Sequence, residues 1–411
     1  MHFSDRINQI SRRDLFRIAG RYGLSSTLLA AGGLGATASL SSIAQAAEST
    51  YEKRFSKEPK FTLKFGAAGF NARNLLIERA GALFFAQDLE ERTDGEIRIE
   101  FIGDNQLCGQ LSCVKKTQQG IVDIYAASTQ NSAGGAPFLN VLDYAYVFPG
   151  RASQYHFLYS PESQKILREP LEKRHGLKFL FSHCELRGIQ LGLKWQDAPT
   201  VDKIETLFGT KNRVTGTQLG RIAMELLNLN PVPVAWEETL DGLKQGLIDG
   251  AETWASAVAY ANMSPVVSQC VDLRFFCGTE HTSMSGKVFD KLGGELQDAV
   301  MESAYTSQVH VQAANEAALV KTVGYSDPQL PNTIFARDNV RMAFLSDAEV
   351  KKAEEMCSPE FNPGPWEQWR ERINKWAGGI DTYTELHRVA REVPGDMLPE
   401  NVEPRRWWKG A

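Results

Sequence analysis

Two short stretches of this 411-residue chain are near copies of each other. Each contains a Gln-Gly pair, two apolar residues and an Asp, first at Gln119–Asp123 and again at Gln245–Asp249. Such a stretch ends a helix with glycine and begins a buried strand. Two of these units far apart in one chain predict two similar α/β lobes that face each other. One continuous sheet is the alternative, and the chain length favours two lobes.

The segment before the first copy alternates strands with helices. Phe61–Gly66 and Ile97–Phe101 alternate apolar and polar residues, which predicts strands, and a third strand is predicted at Ile121–Ala127. Helices are predicted between them at Leu75–Arg92 and Gln110–Gln119. This β-α-β-α-β order is typical of a largely parallel sheet with helices on both faces.

The segment around the second copy repeats this order. Strands are predicted to end near Arg213, and to run over Val232–Trp236 and Ile248–Thr253, with a helix between each pair. In such an α/β unit the carboxyl ends of the strands open into a shared crevice. The residues predicted at those ends are Arg213, Trp236 and either Thr253 or Trp254.

The chemistry of these strand ends suits a small organic anion. A guanidinium group pairs bidentately with a carboxylate, and two indole rings can form the walls beside it. The alternative is that Arg213 makes an internal salt bridge and Trp236 fills the core. The residues alone leave both interpretations open.

A polar stretch, Ser128–Leu139, follows the third predicted strand. A ligand loop belongs at this end of an open α/β sheet, so Ser128–Asn131 is a candidate contact segment. The alternative is a simple connection between elements.

The remaining chain is predicted to hold long helices and the extended segments that join two lobes. The predicted helices are Gln154–Arg174, Gly294–Val323, Ser346–Cys357 and Pro363–Trp376, and the extended segments are Leu177–His183, Leu186–Lys194, Val271–Cys277 and Thr282–Ser285. We therefore assign residues 58–188 and 279–318 to lobe I and residues 189–278 and 319–385 to lobe II. Residues 386–411 are predicted to be a tail on the surface.

The first 46 residues resemble an export signal. Ser11–Phe16 (SRRDLF) matches the twin-arginine pattern, and an uncharged stretch rich in Gly, Ser and Thr follows it. Ala44–Ala46 (AQA) is a small-x-small cleavage site. We expect export to a periplasm, and a retained membrane anchor is the alternative.

Composition and motifs exclude several functional classes. The net charge of -5 gives no reason to expect a nucleic acid partner. No nucleophile elbow, phosphate-binding loop or zinc motif occurs, and His183–Glu185 (HCE) places successive side chains on opposite faces of a strand. The sequence therefore predicts neither an enzyme nor a resident metal or cofactor.

Six cysteines, all after the signal, are compatible with an oxidising compartment. Sequence cannot determine their connectivity. Cys270–Cys277 is the first candidate for a disulfide, and buried free thiols are the alternative.

Three segments together resemble the periplasmic solute-binding proteins of tripartite ATP-independent periplasmic (TRAP) transporters. They are Thr206–Thr215, Asn230–Thr253 and Ile99–Cys108, and the resemblance extends over roughly residues 60–375. It implies two α/β lobes, joined by hinge strands and a long scaffold helix, that close on an anionic ligand.

The resemblance also implies roles for single residues. Arg213 would pair with the ligand carboxylate, and Trp236 would line the pocket. A second arginine of the family corresponds to Arg187 or, alternatively, to Lys194, and Phe70–Asn71 would complete the contribution of lobe I.

The sequence departs from the family pattern at two pocket positions. An Asn of the family is Thr253 here, and the following Pro is Trp254. This predicts a pocket richer in indole and poorer in amide than in binders of sugar acids.

The preferred hypothesis is a monomeric binding protein that delivers a small organic acid to a TRAP permease. A periplasmic sensor or enzyme with the same fold is the alternative, because a fold does not determine a function.

Overall fold

The computed structural model describes residues 55–69 and 78–409. The predicted signal and the Phe70–Asn71 pair lie outside the described residues. Within the described ranges, no helix has both the length and the apolar character that crossing a membrane requires. The strands are β1 (Phe61–Ala67), β2 (Ile97–Ile102), β3 (Ile124–Ser128), β4 (Leu177–Ser182), β5 (Arg187–Gly192), β6 (Lys211–Val214), β7 (Asn230–Pro233), β8 (Gly250–Thr253), β9 (Val267–Phe276), β10 (Glu280–Ser285) and β11 (Arg341–Phe344).

The helices surround these strands. They are α1 (Glu78–Arg92), α2 (Cys113–Gln118), α3 (Thr129–Ser132), α4 (Arg151–Tyr159), α5 (Pro161–Ser163), α6 (Glu169–His175), α7 (Gln218–Leu226), α8 (Thr239–Lys244), α9 (Ala255–Tyr260), α10 (Gly286–Leu292), α11 (Gly294–Ala318), α12 (Ile334–Arg337), α13 (Asp347–Cys357), α14 (Glu367–Trp376) and α15 (Thr382–Ala390). Short 3-10 and π turns connect several of them, including Pro137–Asp143 and Leu319–Val323.

Two sheets form the centres of two lobes. The first sheet has the order β2-β1-β3-β10-β4, and the second has the order β11-β9-β5-β8-β6-β7. The chain passes from the first sheet to the second between β4 and β5, and returns between β9 and β10. The predicted two-lobed α/β architecture is confirmed, whereas the exact lobe boundaries stay a prediction.

Both sheets contain parallel and antiparallel pairs of strands, and parallel pairs are the majority in the second sheet. Strands β1, β2 and β3 are mutually parallel, as expected for β-α-β units, and so are β6, β7 and β8. Strands β5 and β10, which follow the two crossings, pair antiparallel with both of their neighbours. The difference arises because a strand that enters a sheet directly from the other lobe needs no crossover helix.

The duplicated sequence unit has the same structure in both lobes. Gly120 and Gly246 adopt φ values of 77° and 70°, the left-handed conformation that ends a helix. The following Asp accepts a hydrogen bond from a backbone N–H of the neighbouring parallel strand. Asp123 accepts from the N–H of Lys64 at 2.8 Å, and Asp249 accepts from that of Lys211 at 2.9 Å. The repeated sequence therefore forms the same helix end and the same Asp–backbone hydrogen bond in both lobes.

The long predicted helix is present. α11 spans 25 residues and continues into the π turn Leu319–Val323, which together cover the predicted segment. It packs along α1 on the first sheet. Its π turn reaches the core of the second lobe through Val323, so one helix spans both lobes.

Several predicted elements differ in detail. The helix predicted over Gln154–Arg174 is interrupted after Tyr159, because Pro161 begins a new helix capped by Ser160. The polar stretch after β3 is largely helical, because the Ser128 hydroxyl accepts from the N–H of Asn131 and caps α3.

The strand predicted over Val232–Trp236 is shorter. β7 ends at Pro233 and is an edge strand of the second sheet. Proline is tolerated there because an edge strand does not need every N–H for pairing. Trp236 instead begins a 3-10 turn.

The segment assigned to the tail begins inside a helix. The proposed boundary at 386 falls within α15, and Leu386 and Val389 belong to the core of the protein. Trp407 near the end of the described chain is also buried, with 1% of its surface exposed. The apolar residues of α15 are buried up to Ala390, and the charged and Pro-rich segment begins only after it.

The predicted Cys270–Cys277 disulfide is wrong. Cys108 and Cys113 form the disulfide, with their Cα atoms 4.8 Å apart, while Cys270 and Cys277 are buried and free. Most of the segment between Cys270 and Cys277 is extended strand β9, and seven extended residues span roughly 20 Å. That distance far exceeds the reach of a disulfide.

Glu90 gives a testable pH dependence of stability. Glu90 lies on α1, and its burial raises its pKa to about 8, against the hydrogen bond that its Oε1 accepts from the N–H of Ile99 at 2.7 Å. The folded protein therefore keeps a proton that the unfolded chain loses near its ordinary pKa of 4.5. The free energy of unfolding should fall by up to about 1.4 kcal/mol per pH unit between these two values.

Urea unfolding of wild type and Glu90→Gln across this pH window measures the effect. The Glu90→Gln variant should lack this slope, because its amide does not titrate. Glu91→Gln, at the neighbouring exposed position, is the matched control and should keep the wild-type slope. An unchanged slope in Glu90→Gln would contradict the assignment.

Candidate functional site

Strand ends from both sheets meet around one cavity. β3 of the first sheet ends at Ser128, while β8 of the second sheet ends at Thr253 and β6 ends one residue after Arg213. The cavity between them is very small, about 10 Å³ against the roughly 300–1,000 Å³ of ordinary small-molecule sites, so its lining residues lie almost in contact. The predicted residues that line it are Ser128, Asn131, Arg187, Arg213, Trp236, Thr253 and Trp254.

Arg213 is a buried cation with spare hydrogen-bonding capacity. Only 1% of its surface is exposed. Its Nε donates to the carbonyl of Val234 at 3.1 Å and its Nη1 to that of Glu252 at 3.4 Å. Among the described residues, its Nη2 has no hydrogen-bond partner. The internal salt bridge considered as an alternative for Arg213 is absent from the described part of the chain.

The charge of Arg213 is destabilised where it lies. Burial, and secondly the nearby Arg187 cation, lower the pKa of Arg213 to about 10. The group therefore stays protonated at neutral pH. A buried cation in this condition is stabilised by any anion that enters the cavity.

Arg187 has the opposite role, because its hydrogen bonds are satisfied within the protein. Its Nε and Nη2 pair with the two carboxylate oxygens of Glu252, the latter at 2.9 Å, and both side chains are buried. Its Nη1 donates to the carbonyl of Gly278 at 3.0 Å, at the return crossing between the lobes. A Cβ at Gly278 would lie 2.5 Å from a carboxylate oxygen of Asp143, so only glycine fits there.

Two indole rings form walls beside these cations. The Trp236 ring centroid lies 5.2 Å from the Arg213 guanidinium carbon, and the Trp254 centroid lies 4.6 Å from that of Arg187. Both distances are within the range of cation–π attraction. The Nε1 of Trp254 is buried and has no hydrogen-bond partner among the described residues.

The first lobe contributes a fixed polar edge. Gln110 Oε1 accepts from the N–H of Ser128 at 2.8 Å and from the amide of Asn131 at 3.4 Å. The amide of Gln110 in turn donates to the carbonyl of Ala68 at 3.0 Å. Gln110 therefore positions both polar residues that were predicted from the sequence.

Three lining residues were missed: Gln110, Ala257 and Tyr260. Ala257 and Tyr260 follow Trp254 at intervals of three on α9, so helical spacing from Trp254 could have found them. Gln110 lies just before α2 and carries no comparable signal, because its role depends on the contact between distant segments.

The alternative cation, Lys194, lies away from the cavity. Its side chain is 74% exposed and pairs with Asp249 at 2.8 Å. Of the two candidates, only Arg187 lines the cavity.

The His183–Glu185 trio lies between β4 and β5 rather than within a strand, and His183 and Glu185 contact different residues. The His183 ring contacts the Trp254 ring edge-on at 5.6 Å. The carboxylate of Glu185 accepts from the N–H of Ser256 at 3.1 Å and from its hydroxyl at 2.6 Å. Across the described ranges, no group of three or more His, Cys, Asp or Glu residues could hold a metal ion.

The two arginines should respond differently to mutation in the ligand-free protein. Glu252→Gln leaves Arg187 buried without its counter-ion and should reduce the free energy of unfolding by about 3–5 kcal/mol. Arg213→Met should cost less than about 2 kcal/mol, because the loss of an uncompensated buried charge offsets two broken hydrogen bonds. Urea unfolding of both variants, after ligand removal by denaturation and refolding, measures the difference. A larger loss of unfolding free energy in Arg213→Met than in Glu252→Gln would contradict the assignment of Arg187 as the internally paired arginine.

Comparison with known proteins identifies the family. The model for "Bacterial extracellular solute-binding protein, family 7" matches residues 71–323, more than half of the chain. The 2,3-diketo-L-gulonate-binding periplasmic protein YiaO of Escherichia coli (strain K12) is 26% identical over 246 residues, covering 57% of this chain and 70% of that protein. A solute-binding protein of Roseobacter denitrificans is 25% identical over 307 residues, covering 73% and 89%.

Solved structures share the fold. A sugar acid binding protein from Advenella mimigardefordensis, in complex with galactonate, superposes with a TM-score of 0.64 at 19% identity, covering 82% of this chain and 99% of that one. A TRAP periplasmic solute binding protein from Shewanella oneidensis with bound succinate gives 0.66 at 17% identity, covering 81% and 100%. The chain therefore belongs to bacterial extracellular solute-binding protein family 7, the solute-binding proteins of TRAP transporters.

Proposed function

We propose that this protein is exported through its twin-arginine signal, captures a small organic carboxylate between its lobes and delivers it to a TRAP permease. The observation that carries the proposal is the buried Arg213, whose Nη2 faces no acceptor within the described chain while the residue lines the cavity. A carboxylate placed there would supply both the missing acceptor and the missing negative charge.

Arg213, rather than Arg187, is the proposed carboxylate clamp. The guanidinium of Arg187 is already occupied by Glu252 and by the carbonyl of Gly278. Arg187 would instead contribute its positive charge to the cavity and hold Glu252 in place. This division requires only one ligand carboxylate in contact with Arg213.

The cavity favours a short acid with one or more oxygen substituents. Trp236 and Trp254 close two sides of this small cavity and leave little room for a long chain. The indole N–H of Trp254 lacks an acceptor among the described residues, and the hydroxyl of Thr253 and the amide of Asn131 lie on the same cavity. These groups suit a hydroxy or oxo acid shorter than the six-carbon galactonate that one structural relative binds.

Binding would work by a shift between open and closed lobes. The ligand contacts both sheets, so it stabilises the closed form, and the permease would recognise that form. No catalytic group is needed for this cycle, and stoichiometric binding without turnover is expected. The protein is expected to act as a monomer.

A thermal-shift screen against short hydroxy and oxo acids tests the function. Mass spectrometry of compounds that co-purify with the native protein complements it. The expected result is stabilisation by one chemical class, followed by one-to-one calorimetric binding and recovery of the unchanged acid. Product formation during incubation would instead support the enzyme alternative.

Arg213 is predicted to dominate the affinity. Arg213→Met should weaken binding of the identified acid by about 2–5 kcal/mol, because the ligand carboxylate would be buried without its partner. Arg213→Lys should restore part of the loss, since it keeps the charge but not the bidentate geometry. Titration calorimetry measures both, with Lys194→Met as the exposed control. Wild-type affinity in Arg213→Met would refute the proposed clamp.

Trp254 is predicted to limit ligand length. Trp254→Ala removes one wall, and should allow galactonate to bind while weakening the short acid by about tenfold or more. Trp369→Ala, far from the cavity lining, is the matched control and should bind as the wild type does. Calorimetry with galactonate and the short acid measures the change. Tight galactonate binding by the wild type would contradict this limit.

A further inference from the structure

A polar bridge joins the two lobes beside the cavity, and Asn140 is at its centre. Asn140 lies in the 3-10 turn Pro137–Asp143 of the first lobe and is 1% exposed. Its Nδ2 donates to the carbonyl of Pro137 at 2.9 Å, which determines the orientation of the amide. Its Oδ1 is therefore the atom that faces the second lobe.

This oxygen accepts hydrogen bonds from the start of α7. The donors are the hydroxyl of Thr217 at 3.1 Å and the N–H groups of Gln218 at 3.1 Å and Leu219 at 3.5 Å. The first N–H groups of a helix have no partner within the helix. Thr217 caps the N–H of Gly220 at 3.1 Å, so the remaining donors of this turn are satisfied from the other lobe.

Another hydrogen bond joins the two lobes beside those of Asn140. The hydroxyl of Thr215 donates to Oε1 of Gln130 at 3.2 Å. The amide of Gln130 donates to a carboxylate oxygen of Asp143 at 3.2 Å, which holds it towards Thr215. Asn140 and Gln130 of the first lobe thus both form hydrogen bonds with residues 215–217, the connection between β6 and α7 in the second lobe.

That connection directly follows the strand that carries the proposed clamp, Arg213 on β6. Arg213 is separated from Thr215 by a single residue, and Gly216 leads to the cap Thr217. Any movement of α7 away from Asn140 must therefore displace the backbone next to Arg213. Lobe contact and ligand contact share one structural element.

We propose that Asn140 is a positioning residue that latches the closed form and so prolongs the residence of the ligand. The proposal rests on the proposed function, in which the lobes close on a ligand. Opening would expose the donors of α7 to water and break three hydrogen bonds to Oδ1. Loss of these bonds should lower the ratio of closed to open protein by about tenfold.

Four variants separate the latch from simple helix capping. Asn140→Ala removes the acceptor, and Asn140→Asp keeps it and adds a charge that a helix N-terminus favours. Thr215→Val removes the second bond with little change of shape. Ser346→Ala is the control, because Ser346 caps α13 through the N–H of Glu349 and does not take part in the bridge.

Two measurements on the purified exported protein, without added ligand, test the latch. Ile121 and Leu247 lie on opposite lobes and are 47% and 65% exposed. Spin labels attached to Ile121→Cys and Leu247→Cys report the interlobe distance by double electron–electron resonance. The four free cysteines of the described chain are buried, so the labels go to the introduced sites. Hydrogen exchange of the Gln218 and Leu219 amides reports the bridge itself.

The expected results are protected amides in the wild type and about tenfold faster exchange in Asn140→Ala, with a shift to longer interlobe distances. Asn140→Asp should resemble the wild type, Thr215→Val should show a smaller shift, and Ser346→Ala should show none. Faster amide exchange in Asn140→Ala without a change in the interlobe distance would show that Asn140 only caps α7, and would refute the latch. Unprotected amides in the wild type would overturn it as well.

The latch and the proposed function fail separately. A protein that binds no carboxylate, but whose lobes separate in Asn140→Ala, would refute the function and keep the latch. Carboxylate binding with unchanged interlobe distances in Asn140→Ala would support the function and refute the latch.

Discussion

The buried ion pair between Arg187 and Glu252 holds together the region in which the two lobes meet. It joins neighbouring strands of the second sheet and reaches the carbonyl of Gly278, where the chain returns to the first. A buried pair is tolerated when both ions are fully hydrogen-bonded, and its geometry is then difficult to change. Because Arg187 pairs with Glu252, the neighbouring cation of the cavity, Arg213, has no acidic partner among the described residues.

Several functions of the site depend on one connection between β6 and α7. It follows Arg213 on β6, and it ends at Thr217, whose hydroxyl donates to Asn140 of the first lobe. Strands end here at the same edge of the sheet, so the ligand, the lobe contact and the helix N-terminus lie close together. This arrangement explains how a contact of a few atoms with a small acid can favour closure of two large lobes.

Much of the fold follows from local patterns in the sequence. The duplicated glycine-apolar-apolar-Asp unit, the alternating strands and the long helical segment all describe interactions between residues that are near in sequence. Seven of the nine candidate site residues line one cavity, which lies at the edge of the second sheet where parallel β6 and β8 end and antiparallel β5 begins. The disulfide was not predictable, because it depends on which cysteine pair lies at a turn and which lies along an extended strand.

The sequence by itself determined the two α/β lobes, the strand ends that carry Arg213 and Thr253, and the indole residues Trp236 and Trp254 near them. Only the tertiary structure decided which arginine has a carboxylate partner, since Glu252 could have paired with either. The tertiary structure also revealed Gln110 and Asn140, whose partners lie in distant segments. Local sequence encodes periodicity and turns, whereas the partner of a buried polar group depends on how separate segments pack in space.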